Sequence, residues 1–390
     1  MRAEKMISLL TDEVNEQIRR MRMEYAAWEG GSLRGYDDHG PWGRWEKRPR
    51  VPIERRRIYT GTPQTGSYNH HAQLNKFRGK YYLAFSNGFA DEAEPGQRIM
   101  LASSADGLNW SEAECIIAGD ADRGMWRTTI GLYADEARLV TWSVTRWDKV
   151  RDPRPGMSAT GAATKQRLDA FVSSDGESWE PHEGLAGDVR FFEAPRPTQD
   201  GTLLTGGTAQ GGAAALRWAA DNPASAPEIV PLGRSESGGS FPYGEATWYQ
   251  TDDGRIWMYW RDEAASLRLY LSLSEDDGET WTAPMITDFP DSMSRVYAGR
   301  LSDGRFYLIG NAYPKLLDRM HLMIAISEDG AKFSKIYTLL DDPTAQRVRG
   351  TLKLHGYQYP CGLVDGDKLL IGYSINKEDI ECGIVQIADL

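Results

Sequence analysis

Short apolar runs bounded by tight turns dominate the chain from residue 58 onward. Runs such as Lys80-Tyr-Tyr-Leu-Ala-Phe, Arg255-Ile-Trp-Met-Tyr-Trp and Lys368-Leu-Leu-Ile-Gly-Tyr each follow a turn rich in Asp and Gly. The six turns are Arg78-Gly79, Asp135-Glu136, Asp200-Gly201, Asp253-Gly254, Asp303-Gly304 and Asp365-Gly366. Their second residues are spaced by 57, 65, 53, 50 and 62 positions. A repeat of this length with four short strands per unit predicts an all-β, six-bladed β-propeller.

A second repeat, Ser-x-Asp-Gly-x-x-aromatic, follows four of the apolar runs. The Asp accepts local backbone N–H groups, the Gly adopts the strained turn position, and the aromatic ring folds back over the hairpin. The third copy holds one extra residue, and blade three has only a remnant at Trp218–Asp221. The four copies run Ser104-Ala-Asp106-Gly107 to Trp110, Ser173-Ser-Asp175-Gly176 to Trp179, Ser274-Glu-Asp-Asp277-Gly278 to Trp281, and Ser327-Glu-Asp329-Gly330 to Phe333.

The two ends of the chain complete the predicted organisation. Residues 8–28 have apolar positions at helical spacing and end at Gly30-Gly31, which predicts a helix followed by an irregular arm within residues 1–57. The last blade stops after three strands. Residues 56–61 near the N-terminus are expected to supply its fourth strand, closing a propeller of residues 58–390. The helix could also support a homo-oligomer.

Composition narrows the function classes. The net charge of −11 and the pI near 5.2 argue against a nucleic-acid partner, which needs a basic surface. No stretch reaches the roughly 20 apolar residues of a membrane span, and the N-terminus lacks the pattern of a signal peptide. With three widely spaced cysteines, free thiols are expected. These features predict a cytoplasmic protein with no membrane partner.

Ligands of a propeller meet the starts of the innermost strands, and polar residues are dense there. We single out His70, His71 and Gln73 in blade one, Arg127 in blade two, Arg196 in blade three and Tyr243 in blade four. Adjacent residues on a strand point to opposite faces, so at most one of the two histidines is expected to face the axis. Buried polar groups at such positions are costly unless they are paired or used.

The stretch from Glu245 through Arg255-Ile-Trp-Met-Tyr-Trp-Arg261 to the box ending at Trp281 resembles the sialidase superfamily, and the resemblance extends over roughly residues 58–390. It implies a catalytic glutamate at Glu245 and a carboxylate-binding arginine at Arg261. It also implies a second such arginine at Arg319 and a tyrosine nucleophile at Tyr359. A tyrosine suits a substrate with a carboxylate on its anomeric carbon, which would repel a carboxylate nucleophile.

Two departures from the superfamily pattern indicate that the chain is not a standard sialidase and that its substrate is another acidic sugar or a smaller sugar. Asn69-His70-His71 stands where the first family arginine belongs, and Arg127 or Arg196 are the candidates to replace it. The acid/base aspartate falls in the loop Asp91–Glu94, where no single residue can be chosen. No Cys, His or Asp cluster has the spacing of a metal site, and no cofactor is expected.

Three functions follow from these residues. The first is an exo-acting glycoside hydrolase that releases a terminal acidic sugar from an oligosaccharide or glycoconjugate with retention, using Tyr359 and Glu245. The second is a propeller polysaccharide lyase, or a rhamnose-releasing enzyme, acting on uronate-containing glycans with His70 or His71 as the base. The third is a glycan-binding propeller without catalysis. An unsaturated, ultraviolet-absorbing product separates the lyase from the hydrolase.

Overall fold

Twenty-five β-strands and one short 3-10 helix, Ile387–Asp389, make up the regular structure of the described chain. The computed structural model describes residues 48–148, 163–233, 244–261, 266–313, 315–350 and 352–390. The helix expected at residues 8–28 and most of the predicted arm lie outside these ranges. Within the described ranges, no helix is long and apolar enough to cross a membrane.

The strands form six antiparallel sheets, as the repeat predicts, and each sheet is one blade. Blade one contains β2 (Tyr68–Phe77), β3 (Lys80–Gly88), β4 (Arg98–Ser104) and β5 (Glu114–Ile117). Blade two contains β6 (Met125–Ala134), β7 (Leu139–Asp148), β8 (Ala163–Ser173) and β9 (Glu180–Ala186). Blade three contains β10 (Val189–Phe191), β11 (Arg196–Pro197), β12 (Leu203–Ala209), β13 (Gly212–Trp218) and β14 (Glu228–Pro231), with β10 and β11 both paired to β12.

The other three blades have four strands each. Blade four contains β15 (Ala246–Gln250), β16 (Ile256–Trp260), β17 (Arg268–Ser274) and β18 (Met285–Pro290). Blade five contains β19 (Tyr297–Arg300), β20 (Phe306–Gly310), β21 (Leu322–Ser327) and β22 (Phe333–Leu340). Blade six contains β23 (Tyr357–Asp365), β24 (Lys368–Ile375), β25 (Asp379–Gln386) and, from the N-terminal end of the described chain, β1 (Glu54–Thr60).

The hydrophobic core lies between neighbouring blades. Trp142 of blade two and Trp218 of blade three pack edge to face or at a tilt around Phe191, with ring centroids 5.6–6.1 Å apart. Such aromatic contacts add to the burial of apolar surface. The blades therefore hold the inner strands at fixed positions around the axis.

The Ser-x-Asp-Gly boxes connect the third and fourth strands of their blades, as their chain positions require. In the first box, Asp106 Oδ1 accepts the backbone N–H groups of Leu108 and Asn109 at 2.8 and 2.7 Å, and Trp110 Nε1 donates to Gly107 O at 2.9 Å. In the third box the acceptor is Asp276, which is bonded to Thr280 N at 2.9 Å. Asp277 is the inserted residue there, with a φ of 52°.

Strand β1 closes the ring, as predicted, by pairing antiparallel with β25. It spans the expected boundary between residues 57 and 58, and that domain division stays a prediction. Ion pairs reinforce the closure, because Glu381 of β25 accepts Arg55 Nη2 at 2.9 Å and Arg57 Nη2 at 2.8 Å. The Tyr373 hydroxyl also donates to Glu381 at 2.9 Å. Glu381 thus adds a shared carboxylate to the backbone pairing of the first strand with the last, beside a second ion pair between Arg57 and Asp379.

Replacing Glu381 with Gln should weaken this closure. Burial raises the pKa of the Glu381 carboxyl, but the charges of Arg55 and Arg57 and the Tyr373 hydrogen bond outweigh it and hold the pKa below its usual value. The stabilisation is therefore present at neutral pH and is lost as the pH falls through the acidic range. We expect E381Q to lower the free energy of unfolding by about 1.5–3 kcal/mol at neutral pH, and less in acid, in urea denaturation.

Glu54 supplies the matched control on the same strand. Its ion pair with Arg56 is exposed on both sides, at 52% and 43% of side-chain surface, so E54Q should change stability little. Equal losses in E54Q and E381Q would contradict a closure that depends on Glu381.

Candidate functional site

One face of the propeller gathers most of the predicted site residues that the structure describes. On this face lie the starts of the innermost strands and the connections between second and third strands, whereas the hairpin turns and the Ser-x-Asp-Gly boxes lie on the opposite face. Blades one, three, four, five and six all contribute side chains to the axial end of this face. The site is therefore built by the closed ring rather than by any one blade.

Glu245 and Arg261 face each other at the open end of the β15–β16 hairpin. Glu245 immediately precedes β15, Arg261 immediately follows β16, and Arg261 N donates to Glu245 O at 3.1 Å. Arg261 Nη1 lies 2.6 Å from Glu245 Oε2. Both side chains are at least nine-tenths buried. The hairpin thus fixes a buried carboxylate beside its counter-ion.

Tyr359 reaches this pair from blade six. Its hydroxyl donates to Glu245 Oε1 and accepts Arg261 Nη1 at 2.9 Å. The residue lies in a β-bulge of β23, where Tyr359 and Pro360 stand opposite one residue of β24, and it has a φ of 52°. A positive φ is strained for a tyrosine and persists only when the surroundings impose it. The bulge directs the phenol toward Glu245.

Electrostatics give the two groups complementary states. Burial raises the pKa of the Tyr359 phenol well above its usual value, and the charge of Glu245 raises it further. Burial also opposes ionisation of Glu245, but Arg261 and the hydrogen bond from Tyr359 outweigh it and lower the pKa of that carboxyl. Glu245 is therefore an ionised acceptor for the proton of a neutral tyrosine.

Arg319 lies beside the same tyrosine, in the segment that precedes β21. Its guanidinium carbon is 5.6 Å from the centroid of the Tyr359 ring. Arg319 Nη1 donates to Gln358 Oε1 at 2.8 Å and Nη2 donates to Met293 O at 3.2 Å. The structure therefore brings Glu245, Arg261, Arg319 and Tyr359 into one cluster.

His70 and His71 both lie against Tyr359, so the expectation that at most one faces the axis is wrong. Their ring centroids are 4.2 and 5.4 Å from that of Tyr359 and 4.4 Å from each other. The reason is a bulge in β2, where His71 and Ala72 stand opposite one residue of β3 and His71 has a φ of 58°. A bulge interrupts the alternation on which the expectation rested.

Both histidines are neutral near neutral pH. Burial lowers the pKa of His71 to about 4, with the charge of Glu92 opposing the shift and that of Lys377 adding to it. Burial likewise lowers the pKa of His70 well below its usual value, helped by His71 and Lys377. His70 Nδ1 lies 2.7 Å from Ser374 Oγ and His71 Nδ1 lies 3.3 Å from Ser86 Oγ. Uncharged imidazoles thus occupy the place where the resemblance led us to expect an arginine.

Glu92 is the residue of the Asp91–Glu94 loop that faces the site. Glu92 Oε1 is 3.8 Å from His71 Nε2, and Glu92 Oε2 is 2.6 Å from Lys377 Nζ. Asp91 and Glu94 instead bind backbone, with Leu352 N donating to Asp91 at 3.0 Å and Ala90 N donating to Glu94 at 2.8 Å. The sequence could not separate these three acids, because their roles depend on how one loop turns.

Lys377 was missed by sequence reasoning. It lies in the turn between β24 and β25, and its side chain is only 7% exposed. A lysine in a turn is usually solvated, so nothing in the pattern marks it. Burial raises the pKa of Glu92, but the charges of Lys377 and His71 and the hydrogen bond from Lys377 outweigh it and lower the pKa to about 2.

The remaining predicted residues are placed as follows. Gln73 Nε2 donates to Phe192 O at 3.0 Å, which ties β2 to blade three, and the Phe192 ring stacks on His71 with centroids 5.6 Å apart. Arg127 turns toward the outer strands of blade two, where its Nη2 lies 3.1 Å from Glu183 and its Nη1 3.5 Å from Asp169. Tyr243 lies outside the described residues.

Arg196 belongs to a separate buried cluster on the axis. Its Nη2 lies 2.5 Å from Glu193 Oε1, and its guanidinium stacks on Trp248 at 4.8 Å. Arg295 Nη2 lies 3.8 Å from Glu193 Oε2. Burial raises the pKa of Glu193 in spite of both arginines. These contacts tie Arg196 to blades three, four and five and not to Tyr359.

A small pocket adjoins the site beside Glu92. It has a volume of about 30 Å³ and is lined by Phe192, Ile130, Val144, Thr128 and Arg146, together with Glu92 and Ala93. In the described ranges, no group of three or more His, Cys, Asp or Glu side chains is arranged to hold a metal ion.

Replacing His71 with Asn should make the free energy of unfolding less dependent on pH between about 6.5 and 4. Below a pH of about 6.5 the unfolded chain binds a proton that the folded His71 does not, so stability falls as the pH drops toward 4. Asn cannot bind that proton and tolerates the positive φ. We expect the wild type to lose up to about 3 kcal/mol more than H71N over this range, measured by urea denaturation at several pH values.

The exposed His182 on β9 is the control, because H182N removes an imidazole that is not buried. If the free energy of unfolding depends on pH in the same way in H71N and in the wild type, burial of His71 does not cause the loss of stability in acid.

Comparison with known proteins places the chain in a family. The family model described as the BNR repeat-like domain matches residues 80–371, which is most of the chain. No curated protein matches the sequence. A protein of unknown function from Dyadobacter fermentans DSM 18053 has a similar structure, with 18% identity and a TM-score of 0.65, over 86% of this chain and 99% of that one.

Two solved sialidases share the fold at low identity. NanB sialidase from Streptococcus pneumoniae is 11% identical with a TM-score of 0.64, over 86% of this chain and 71% of that one. Trypanosoma rangeli sialidase in complex with sialic acid is 13% identical with a TM-score of 0.58, over 87% of this chain and 60% of that one. The family model and the shared six-bladed fold confirm the resemblance on which the site was first predicted. The chain belongs to the BNR repeat-like domain family and is a member of the sialidase-like superfamily of six-bladed propellers.

Proposed function

We propose that this protein is a retaining, exo-acting glycoside hydrolase that removes a terminal acidic sugar, with Tyr359 as nucleophile and Glu245 as its base. One observation carries the proposal, namely the hydrogen bond from the Tyr359 hydroxyl to Glu245 with Arg261 Nη1 2.9 Å from the same oxygen. A phenol needs an adjacent base to become a nucleophile at neutral pH, and an ionised carboxylate in contact with it is such a base.

In the first step the Tyr359 oxygen attacks the anomeric carbon while its proton moves to Glu245. Arg261 Nη1 donates to the phenol oxygen and stabilises the negative charge that develops there. The bond to the leaving group breaks, and the departing oxygen takes a proton from an acid. Water then cleaves the glycosyl–tyrosine bond, and Glu245 returns the proton to the phenolate.

The substrate class follows from the charges around the tyrosine. Arg261 and Arg319 flank Tyr359, and a guanidinium binds a carboxylate through charge-assisted hydrogen bonds. The side chains of the cluster are almost completely buried, with Arg319 3% and Tyr359 6% exposed. A site this enclosed suits the end of a glycan chain, which supports exo-action.

Glu92 is the proton donor in this scheme, because it is the loop carboxyl that faces His71 and the site. Its side chain is 28% exposed, so it remains within reach of a bound sugar. A carboxyl with a pKa of about 2 is ionised at neutral pH and has no proton to give. Its pKa must therefore rise when the substrate binds.

Removing the Tyr359 hydroxyl or the Glu245 charge should strongly reduce turnover. We expect Y359F and E245Q each to lower kcat by about 10²–10⁴-fold, the usual contribution of a positioned acid or base. The assay is release of the terminal sugar from a panel of oligosaccharides ending in sialic or uronic acids, followed by chromatography. The initial anomer, observed by NMR, should have the configuration of the substrate.

Tyr357 is the matched control on the same strand, because its hydroxyl lies 3.3 Å from Asp342 O and away from Glu245. Y357F should retain turnover. Undiminished turnover in both Y359F and E245Q would refute the proposal.

A polysaccharide lyase acting on uronate-containing glycans is the second candidate, favoured by the neutral His71 between Glu92 and Tyr359. A neutral imidazole can accept the proton next to a uronate carboxyl group. The lyase forms an unsaturated product that absorbs in the ultraviolet. Digestion of uronate-containing oligosaccharides without a rise in ultraviolet absorbance would exclude it, and a rise that H71N abolishes would support it.

A further inference from the structure

An ion pair between the buried Lys377 and the partly exposed Glu92 joins blade six to blade one at the edge of the site. Lys377 Nζ lies 2.6 Å from Glu92 Oε2. An ammonium group has three donors, and among the described residues Lys377 Nζ makes only this one hydrogen bond. The lysine side chain is 7% exposed, whereas the glutamate is 28% exposed. A buried cation therefore keeps donors available beside an accessible carboxylate.

The backbone fixes Lys377 next to the two histidines. Asn69 N donates to Lys377 O at 2.8 Å, and His70 and His71 follow Asn69 directly on β2. Lys377 and its neighbour Asn376 both have a positive φ, at 55° and 57°, which turns the segment sharply back toward β2. Lys377 thus lies beside the two imidazoles from the neighbouring blade, and its charge acts on both.

We propose that Lys377 is the third anion-binding cation of the site, and that an acidic sugar binding to it displaces Glu92 and leaves that carboxyl protonated for catalysis. The inference rests on the proposed function and specifies its substrate as a sugar acid whose carboxylate belongs to the ring that is released. Binding of the acid is then coupled to protonation of Glu92, the proton donor.

Loss of its counter-ion supports the coupling. The titratable and charged groups around Glu92 are His71 and Tyr68 of β2, Arg146 of β7, Arg319, Tyr359 and Lys377, together with Asp91 and Glu94 of its own loop, which bind backbone N–H groups. A sugar carboxylate bound to Lys377 takes the cation that pairs with Glu92 and adds a negative charge close to it.

A like charge at this distance favours the neutral form of a carboxyl group. Glu92, which is ionised in the free protein, then takes a proton from solvent. That proton passes to the glycosidic oxygen as the bond breaks, and the water that cleaves the glycosyl–tyrosine bond returns a proton to Glu92. A neutral sugar leaves the ion pair intact and the carboxyl without a proton.

Calorimetry of ligand binding tests the coupling without turnover. Free glucuronic acid and free N-acetylneuraminic acid are titrated into the protein in weakly acidic buffers of different ionisation enthalpy. We expect uptake of close to one proton for each acid molecule bound, in the wild type and in Y359F, and no uptake in E92Q. K377M should bind the acid at least about tenfold more weakly, the loss of one charge-assisted hydrogen bond, and K377R should restore most of the affinity.

Lys76 supplies the control, because it forms an equally short ion pair, 2.6 Å from Asp365, at the opposite face of the propeller. K76M should bind the acid and take up the proton as the wild type does. Thermal unfolding of each variant confirms that it is folded. Proton uptake that persists in E92Q, unchanged affinity in K377M, or failure of both acids to bind the wild type would overturn the inference.

Failure of the proposed hydrolase and failure of this inference are distinguishable. Proton uptake with no sugar release from any oligosaccharide would refute the hydrolase and leave the Lys377–Glu92 coupling standing. Sugar release that depends on Tyr359 but is unchanged in K377M would support the hydrolase and refute the Lys377–Glu92 coupling.

Discussion

The hydrogen bond between Tyr359 and Glu245 crosses the propeller axis from blade six to blade four, and the rest of the site is arranged around it. It depends on two local features. The open end of the β15–β16 hairpin places Glu245 beside Arg261, and the bulge of β23 turns Tyr359 toward the axis. The hydrogen bond also needs the ring to be closed, because blade six takes its outer strand from the N-terminal side of the chain. A strained tyrosine conformation is stable only where the surrounding sheets impose it.

Charge compensation governs which groups can lie at the centre. Each of three carboxylates in the site and on the axis faces a cation, with the buried Glu245 beside Arg261, the partly exposed Glu92 beside Lys377, and the buried Glu193 beside Arg196. The histidines have no such requirement, because burial keeps them neutral. Placing neutral rings where an arginine is expected lowers the positive charge around Tyr359, and Lys377 supplies a compensating charge from another blade. Removing either partner of such a pair leaves an uncompensated buried charge, which is strongly destabilising.

The six blades could be predicted from the sequence, and so could the choice of Glu245, Arg261, Arg319 and Tyr359, which lie together in the structure. The geometry of the inner strands could not. Turn spacing and the Ser-x-Asp-Gly boxes depend on local chemistry that repeats, so six blades and the closing strand were predicted correctly. The placement of His71 depends on a bulge, and no residue pattern in β2 marks where the extra residue sits. The arginines Arg127 and Arg196 were singled out by chain position, but long side chains at strand starts can turn toward an outer strand or down the axis. Lys377 and Glu92 meet across 285 residues, a contact that only the closed ring brings about. The location of the protein in the cell and its oligomeric state stay predictions.

Trapping the covalent intermediate tests the central claim most directly. A glycosyl fluoride of the released sugar acid, with fluorine on the carbon next to the anomeric carbon, slows the second step more than the first. Peptide mass spectrometry of the treated protein should then find the sugar on the peptide that contains Tyr359, and find it absent in Y359F. A sugar attached to Glu245 or to another carboxylate, or turnover without any adduct on Tyr359, would contradict the tyrosine mechanism.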